Sequence, residues 1–495
     1  MENISNNKSI ILFNLATNVL VVVFITGASY YHTPLNGIKD TAVYGLHLIA
    51  LQTSIAGFIY LLTLSKWAFR LVFGPLFFIL SCYSFWGYSQ DISVTPHLIQ
   101  ALLETKPDIA VDLISFPYLI FISISIIILL VLFRWQSSIN NRLNWPFYMI
   151  ASLCCISVFW VLEQKRPGSL KNRLPYNIYY AVKSYMEKPT LKLNKQIPDV
   201  SYHSDELKMI LVLGESVRAD HLSINGYNRP TTPKLKQQSG LISFPNVYTE
   251  HTYTAVSLPQ ILTNQGQVQS DSEYYSIYDI LDEANYKTYW VGNQTLEKSY
   301  TPIVKTNDSI HLIDAFKSVF SFDKLRDESL IPVASNILKE DRRSVISLHM
   351  IGSHWWYEDR YSNKEKKFNP VIDSKYIPSL TSEQLINSYD NTLLYLDKFI
   401  SKLIGILENQ ETPTVLVYIS DHGEQLGEEG KWLHAQSGEA AKNPAYLIWF
   451  SESYTKKYPK VVTNIKEATK INSTTDRVFY DILTLLGISF EKIKQ

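Results

Sequence analysis

The first third of the chain alternates long apolar stretches with short polar segments. Each stretch has about 17 to 23 residues, the length that an α-helix needs to cross a bilayer. Five of them follow one another: Ile10–Tyr30, Ala42–Leu64, Ala68–Tyr88, Leu113–Phe133 and Pro146–Leu162. Aromatic residues near their ends, such as Trp67, Trp86 and Trp135, are typical of the membrane–water interface. Buried core helices are the alternative interpretation, but the pattern favours a transmembrane domain of five helices over residues 1–163.

The distribution of Lys and Arg predicts how these spans are oriented. Basic residues fall in short segments on one side, at Lys8, Lys66, Arg70, Arg134 and Arg142. Under the positive-inside rule that side faces the cytoplasm, so the chain after about residue 163 lies outside it. Lys165 and Arg166 weigh against this orientation, but large domains translocate largely regardless of charge. The first stretch lacks a basic start and a small-residue cleavage site, so we expect a span rather than a cleaved signal peptide.

The rest of the chain alternates strand-like and helix-like patterns. Short apolar runs recur at Met209–Leu213, Thr288–Val291, Val345–His349, Val415–Ser420 and Ala445–Phe450. Helical patterns such as Ile277–Ala284 and Glu383–Leu407 lie between them. This alternation predicts an α/β domain over residues 207–495, a mostly parallel sheet with helices on both faces. The proline-containing residues 164–206 are expected to form a connector, with a short amphipathic helix at Tyr176–Met186 that could lie on the membrane surface.

Cysteine content and charge exclude several function classes. Cys82, Cys154 and Cys155 all lie in predicted spans, so the α/β domain has neither a disulfide nor a thiolate metal site. Lys plus Arg and Asp plus Glu each number 46, and the chain has no basic stripe. Nucleic acid is therefore not an expected partner.

Potential metal ligands follow two of the predicted strands. The run Val415–Ser420 leads into Asp421 and His422, and the run Met209–Leu213 is followed by Glu215. Ligands of open α/β sheets bind at the carboxyl ends of such strands, and carboxylate oxygens and imidazole nitrogens bind zinc. A helix-capping Asp and a structural His are the alternative for the pair. The joint occurrence of the three side chains favours a zinc site.

A threonine and two histidines extend this set. Thr254 lies where a helix could begin, and the positive field there suits an alkoxide and a phosphoryl group, although an ordinary helix cap is the alternative. His354 follows the strand Val345–His349, and His434 lies twelve residues after His422. Either histidine alone is more often structural. A metal ion beside Thr254 would lower the pKa of its hydroxyl and make it a nucleophile at neutral pH.

Six motifs in this order resemble the inner-membrane phosphoethanolamine transferases of Gram-negative bacteria, a group that includes lipid A modifiers and colistin-resistance enzymes. They are Gly214-Glu215-Ser216-Val217-Arg218, Asn225-Gly226-Tyr227-Asn228-Arg229, Thr254-Ala255-Val256-Ser257-Leu258-Pro259, Gly352-Ser353-His354, Tyr389-Asp390-Asn391-Thr392 and Ser420-Asp421-His422-Gly423-Glu424. The resemblance extends over nearly the whole chain. It implies five spans in a bacterial inner membrane, followed by a periplasmic catalytic domain of alkaline-phosphatase/sulfatase type.

The resemblance also implies roles for the matching residues. Thr254 would be the nucleophile that becomes modified with phosphoethanolamine, and it would bind zinc together with a ligand set of Glu215, Asp421 and His422. The histidines His354 and His434 would contact the phosphoryl group, protonate a leaving group or help to hold a second zinc ion.

The implied donor site lies in the segment between the third and fourth spans. Thr105 matches the family there, whereas Ala101 and Ile109 replace polar family residues, and Asp108 is a candidate for the donor ammonium. On the acceptor side, Gly-Ser-His is followed by Trp355-Trp356-Tyr357 instead of a Gly-Pro pair. These aromatic residues would suit stacking on a sugar ring, or contact with the membrane interface.

The resemblance predicts a two-step reaction in a monomer. Phosphoethanolamine would pass from phosphatidylethanolamine to Thr254 and then to a lipopolysaccharide or another envelope glycan, at one or two zinc ions. The alternatives are a phosphoglycerol transferase of the same superfamily and a non-enzymatic, membrane-anchored binding protein. A sulfatase is disfavoured because Thr254-Ala255-Val256-Ser257-Leu258 lacks the Cys-x-Pro-x-Arg type of nucleophile segment.

Overall fold

The computed structural model describes two compact units. The helical unit consists mainly of residues 1–187, and the α/β unit contains most of residues 188–495. The description covers residues 2–490 except for 34, 36, 91–93, 95–98, 100–115, 140–144, 166–167, 172, 187–190, 198, 204, 268–273, 315–316, 318–323, 375–379, 429–430 and 433–437.

The described part of the helical unit consists of helices. They are α1 (Glu2–Val21), α2 (Ala28–Tyr31), α3 (Gly37–Thr63), α4 (Lys66–Ala68), α5 (Gly74–Gln90), α6 (Phe116–Ser138), α7 (Trp145–Lys165) and α8 (Tyr176–Met186). Among the residues that the structure describes, five segments are long and apolar enough to cross a membrane: Ser9–Thr26, Gly37–Thr63, Lys66–Ser89, Phe116–Ser138 and Tyr148–Lys165. The five predicted spans are confirmed as helices of that kind, and their orientation remains a prediction.

Close backbone approach and buried polar contacts join the helices of this unit. A Cβ atom at Gly57 of α3 would lie 2.6 Å from the carbonyl oxygen of Ser152 in α7, so a larger residue would push the two helices apart. Gln52 of α3 accepts a hydrogen bond from Thr26 at 3.2 Å and donates one to Asn18 at 2.7 Å. Small residues and polar side chains at helix contacts are typical of membrane bundles, because burying apolar surface gives no driving force in lipid.

The α/β unit is built around a seven-stranded sheet. Its strands are β2 (Lys208–Gly214), β3 (Leu241–Phe244), β5 (Lys287–Gly292), β6 (Ser309–Leu312), β7 (Ser344–His349), β8 (Thr414–Ser420) and β9 (Tyr446–Phe450), in the order β3-β9-β8-β2-β7-β5-β6. The five strands from β8 to β6 are mutually parallel, and β9 is antiparallel to both of its neighbours. This confirms the predicted mostly parallel sheet.

Smaller elements complete the unit. The short strands are β1 (Val200–Tyr202), β4 (Val247–Tyr248), β10 (Ser473–Thr474) and β11 (Ile488–Phe490), which pair as β1 with β11 and β4 with β10. The helices are α9 (Thr254–Leu262), α10 (Ile277–Glu283), α11 (Thr301–Val304), α12 (Leu330–Glu340), α13 (Ser382–Glu408), α14 (Glu452–Lys457), α15 (Pro459–Ala468) and α16 (Arg477–Leu485).

The central strands read as unbroken apolar runs because both of their faces are buried. Every residue of β2 and β8 is buried. Parallel strands in such a sheet are covered by helices on both sides, which removes the alternation of apolar and polar residues. The longest described helix of the α/β unit, α13, begins with a capping box in which Thr381 and Gln384 satisfy each other's backbone N–H groups.

Candidate metal centre and active site

The pairing of β2 with β8 brings two potential ligands side by side. Gly214 and Ser420, the last residues of these strands, lie opposite each other in the parallel register. Glu215 and Asp421 therefore leave the sheet at the same level. Asp421 accepts hydrogen bonds from the N–H of Ser216 at 3.2 Å and from the N–H of His422 at 2.8 Å, which hold its carboxylate at this edge.

Three buried side chains form a group that could hold a metal ion, and we call it the metal cluster: Glu215, Asp421 and His422. Their ligand atoms all lie within 4.8 Å of one another. His422 Nε2 is 3.4 Å from an oxygen of Glu215 and 3.4 Å from an oxygen of Asp421. Two carboxylates and an imidazole are a donor set that suits zinc.

A hydrogen bond to the backbone orients the imidazole of His422. Its Nδ1 lies 2.7 Å from the carbonyl oxygen of Gly423, which can only accept, so the proton is on Nδ1. Nε2 is then the ring atom left to bind a metal ion, and it is the atom that faces the two carboxylates. Metal-binding histidines are commonly held by such a bond to the second ring nitrogen.

Electrostatics favours a cation in this cluster. Burial, and then the neighbouring charge of Glu215, hold the pKa of Asp421 well above its ordinary value. Two carboxylates taken out of water next to each other repel, and a divalent cation between them would remove that cost. The residues present therefore fit a metal ion such as zinc.

The hydroxyl of Thr254 adjoins the cluster. Thr254 is the first residue of α9, as its sequence context suggested, and its hydroxyl donates a hydrogen bond to Glu215 Oε2 at 2.8 Å. The side chain is nearly buried, with 9% of its surface exposed. Because Thr254 begins the helix, its hydroxyl lies at the positive end of the α9 dipole, whose field stabilises negative charge on the oxygen.

Of the other predicted site residues, His354 belongs to the described part of the chain and three do not. His354 is buried, and its Nδ1 lies 2.6 Å from the carbonyl oxygen of Trp355. It lies on the loop that follows β7, the strand next to β2 on the side away from β8. His434, Thr105 and Asp108 lie outside the described residues. Their proposed roles remain predictions.

The structure adds residues that the sequence patterns did not single out. Ser216 donates a hydrogen bond to Glu215 Oε1 at 2.8 Å and has a positive φ of 59°, unusual for a residue with a side chain. Gln294, just after β5, donates to Glu215 Oε2 at 3.4 Å and to the carbonyl oxygen of Met350 at 2.6 Å. No isolated serine or glutamine signals such a role in a sequence, although Gln294 does follow the carboxyl end of a predicted strand.

Curated relatives carry the name that the motifs suggested. The chain is 34% identical over 294 residues to the phosphoethanolamine transferase EptA of Escherichia coli K12, a match that covers 56% of this chain and 53% of the relative. It is 28% identical over 387 residues to the phosphatidylethanolamine transferase Mcr-1 of Escherichia coli, covering 73% of this chain and 65% of the relative. The match to EptA thus spans about half the length of that relative.

Solved structures give the same result for the fold. The soluble domain of lipooligosaccharide phosphoethanolamine transferase A from Neisseria meningitidis aligns with a TM-score of 0.53 and 29% identity, covering 61% of this chain and 95% of the domain. The integral membrane protein EptA from Neisseria meningitidis aligns over 97% of this chain and 96% of its own, with a TM-score of 0.53 and 22% identity, which shows likeness of fold alone. The predicted resemblance to these transferases, and the predicted fold class, are confirmed.

A family model that covers more than half of the chain establishes its family. The model described as Sulfatase matches residues 208–488, which begin at β2 and end at β11 and include the metal cluster and Thr254. The match takes in more than half of the chain. This protein therefore belongs to the sulfatase family.

Proposed function

We propose that the protein is a zinc-dependent phosphoethanolamine transferase that works through a covalent intermediate on Thr254. One observation carries the proposal: a nearly buried hydroxyl at the start of α9 donates to a carboxylate of the metal cluster at 2.8 Å. A side-chain hydroxyl held in this way can take up a group from a donor in one step and pass it to an acceptor in the next. The names of the relatives supply the group that is transferred.

The first step moves the phosphoethanolamine group from phosphatidylethanolamine to the protein. Thr254 Oγ attacks the phosphorus, the bond from phosphorus to the glycerol oxygen breaks, and diacylglycerol leaves. The proton of Thr254 passes to Glu215 Oε2, its hydrogen-bond acceptor, and the departing glycerol oxygen takes up a proton for which His354 and His434 are the proposed donors. Zinc held by Glu215, Asp421 and His422 would lower the pKa of the hydroxyl and offset the charge of the phosphoryl group.

The second step releases the group to the acceptor. A sugar hydroxyl or a glycan phosphate attacks the phosphorus of phosphothreonine, and the bond to Thr254 Oγ breaks. The N–H groups at the start of α9 stabilise the oxygen as it leaves. His354, on the neighbouring loop, and His434 are proposed to contact the phosphoryl group or to transfer the protons.

The cellular setting follows from the same proposal. The five spans would hold the enzyme as a monomer in a bacterial inner membrane, with the α/β unit in the periplasm next to its lipid donor. Anchoring raises the effective concentration of that donor. Thr105 and Asp108 are proposed to contact it, and lipopolysaccharide or another envelope glycan is the proposed acceptor. One zinc ion is proposed at the metal cluster, with a second left open.

The direct test compares Thr254→Ala with Thr252→Ala in the full-length protein. Both changes remove one hydroxyl, and Thr252 is a half-buried neighbour without a proposed role. With fluorescent phosphatidylethanolamine, we expect Thr254→Ala to reduce diacylglycerol release by more than about 1000-fold, because the nucleophile is lost, and Thr252→Ala to retain it.

Mass spectrometry of the trapped wild-type protein identifies the group. A phosphoethanolamine adduct on Thr254 supports the proposal, whereas a phosphoglycerol adduct identifies the alternative transferase. Full activity of Thr254→Ala, or an adduct on another residue, contradicts the assignment. If the protein binds zinc but turns over no lipid donor, the result supports the alternative of a non-enzymatic binding protein.

A further inference from the structure

A buried aspartate outside the metal cluster holds the loop that packs against Glu215. We call residues Met350 to His354, which follow β7, the His354 loop. Asp327 comes from the segment before α12 and is 1% exposed. Its Oδ1 accepts the N–H of Ile351 at 2.9 Å, and its Oδ2 accepts the N–H of Gly352 at 2.9 Å. A single carboxylate thus binds two successive peptide groups of the loop.

A third hydrogen bond fixes the carboxylate itself. The side-chain amide of Asn293, just after β5, donates to Asp327 Oδ1 at 2.9 Å. The backbone N–H of Asn293 in turn donates to the carbonyl oxygen of His349 at 2.8 Å. Asp327 is therefore bound both to the loop and to the neighbouring strand end. Buried groups satisfied in this way have little freedom to move.

The His354 loop lies directly against the backbone of Glu215. The N–H of Ser353 donates to the carbonyl oxygen of Glu215 at 2.9 Å. Gly352 has a φ of +53°, and a Cβ atom there would lie 2.7 Å from that carbonyl oxygen and 2.9 Å from the Glu215 nitrogen. The space between the loop and the ligand is too small for a methyl group, so movement of one displaces the other.

We propose that Asp327 is a positioning residue of the metal centre, because it fixes the His354 loop against Glu215 and thereby sets where the Glu215 carboxylate lies. The inference rests on the proposed function only in taking zinc as the metal of this cluster. Removing a residue that orients a metal ligand without touching the metal typically weakens metal binding by about 10- to 100-fold. Asp327 acts through the backbone and does not itself contact the metal or the substrate.

A second aspartate provides a matched control. Asp397 of α13 is 2% exposed, and its carboxylate accepts the N–H of Lys234 at 3.1 Å and that of Leu235 at 2.8 Å. It makes the same kind of contact, one buried carboxylate to two successive peptide groups, with a segment that carries none of the proposed ligands. Replacing either aspartate by Asn puts an amide N–H₂ where an acceptor is needed, which carries a similar cost in stability.

The test measures zinc affinity in the full-length protein. Wild type, Asp327→Asn and Asp397→Asn are purified in detergent, stripped of metal and titrated with zinc against a chelating indicator, and their melting temperatures are recorded. We expect Asp327→Asn to raise the zinc dissociation constant by about ten-fold or more. Asp397→Asn should change the constant by less than about two-fold while losing a comparable amount of thermal stability.

A milder variant covers the case in which Asp327→Asn does not fold. Asn293→Ala removes one donor to Asp327 and keeps the carboxylate, so it should weaken zinc binding in the same direction by a smaller factor. Wild-type affinity in the folded Asp327 or Asn293 variant, or equal weakening in Asp397→Asn, overturns the inference. The zinc titration contains no lipid donor, so its result does not depend on transfer. A wild-type protein that binds zinc but transfers nothing in the separate lipid assay would contradict the proposed function and leave the inference about Asp327 intact.

Discussion

Two buried groups of acidic and histidine side chains lie in the same α/β unit, and they differ in how their charge is balanced. One is the metal cluster. The other, which we call the Asp390 cluster, consists of His221, Tyr227, Arg229 and Asp390. Asp390 is fully buried, as Asp421 nearly is, and each aspartate lies close to a histidine. Residue type alone cannot separate the two, because both contain the side chains that bind metals.

The Asp390 cluster supplies its own cation and donors. Asp390 Oδ1 is 2.9 Å from Nδ1 of His221, and its Oδ2 accepts hydrogen bonds from Arg229 at 2.9 Å and from the hydroxyl of Tyr227 at 3.1 Å. The ring of His221 stacks on Tyr227, with 4.5 Å between the ring centres. Charge and hydrogen-bonding capacity are thus satisfied within the cluster, which leaves the carboxylate no surplus to offer a metal ion.

The metal cluster instead joins two carboxylates and one imidazole, with no Lys or Arg among its members. Hydrogen bonds from Thr254 and Ser216 do not neutralise that charge, and the pKa of Asp421 is held high by burial and by Glu215. Proximity of acids and histidines thus favours a metal ion only where their negative charge exceeds the cations that the protein provides.

The largest expected effect is loss of metal from Asp421→Asn. The substitution removes the charge of one of the two carboxylates among the three ligands, and it should weaken zinc binding by more than about 100-fold. That is more than the loss usually caused by removing a residue that only orients a ligand. Asp390→Asn is the control, since that carboxylate is already paired with Arg229. The measurement is zinc content of the full-length protein after dialysis against a weak chelator. Retention of zinc by Asp421→Asn would remove this residue from the ligand set.

The next effect is on stability and should appear only in the Asp390 cluster. Asp390→Ala leaves Arg229 and His221 without their shared carboxylate. The side chain of Arg229 is 32% exposed, so its charge stays partly solvated, and losing hydrogen bonds to a charged group typically costs about 1.5 to 3 kcal/mol. We expect a matching fall in the denaturant midpoint of the α/β unit, followed by tryptophan fluorescence, with zinc content unchanged. In zinc-free protein, Asp421→Asn should not lower the midpoint, because it removes a repulsion. The reverse order of the two midpoints would contradict the comparison.

The smallest effects come from two glycines, one beside each cluster. Gly352 lies against Glu215, and Gly226 adjoins Tyr227; both have a positive φ, of +53° and +100°. Alanine at either position incurs about 1 to 2 kcal/mol of backbone strain. A Cβ at Gly226 would meet no atom within 4 Å, whereas at Gly352 it would meet the Glu215 backbone at 2.7 Å.

Steady-state transfer from fluorescent phosphatidylethanolamine separates these two glycines. We expect Gly352→Ala to lower kcat by about ten-fold, a typical result when the support of a metal ligand is disturbed. Gly226→Ala should lower stability without changing kcat by more than about two-fold, because its strain stays local. Equal rates for the two variants would show that Glu215 tolerates displacement by the loop.

The sequence was sufficient for the central strands of the sheet and for the candidate ligands that follow two of them. The apolar runs before Glu215 and Asp421 predicted β2 and β8, because a strand buried on both faces leaves a clear signal. The run at Ala445–Phe450 also predicted a strand, but its composition does not show whether the strand is parallel or antiparallel to its neighbours. Only the structure shows that β9 is antiparallel, and that β3 and β6 extend the sheet.

The supporting residues were beyond sequence reasoning for a different reason. In the sequence, Asp327 resembles any acidic residue before a helix. Its proposed role depends on hydrogen bonds from the backbone N–H groups of Ile351 and Gly352, and a backbone N–H group is the same whatever the residue type. Gly352 belongs to a recognised motif, yet its tight contact with Glu215 appears only when β2 and β7 are adjacent. Ligands leave a signature in the residue type, whereas positioning residues act through geometry.

The pairing of β2 with β8 also has a consequence for biogenesis. The hydrogen bond between Ser216 and Asp421 joins residues 205 positions apart, so one half of the metal cluster is synthesised long before the other. Contacts of such long range form late, because closing the intervening loop costs entropy that local contacts do not. A chain synthesised only as far as residue 420 contains Glu215 and Thr254 but lacks Asp421 and His422, so its metal cluster is incomplete. Under the proposed function, activation of Thr254 would wait until the whole domain has been assembled, and an unfinished chain would not react with a lipid donor.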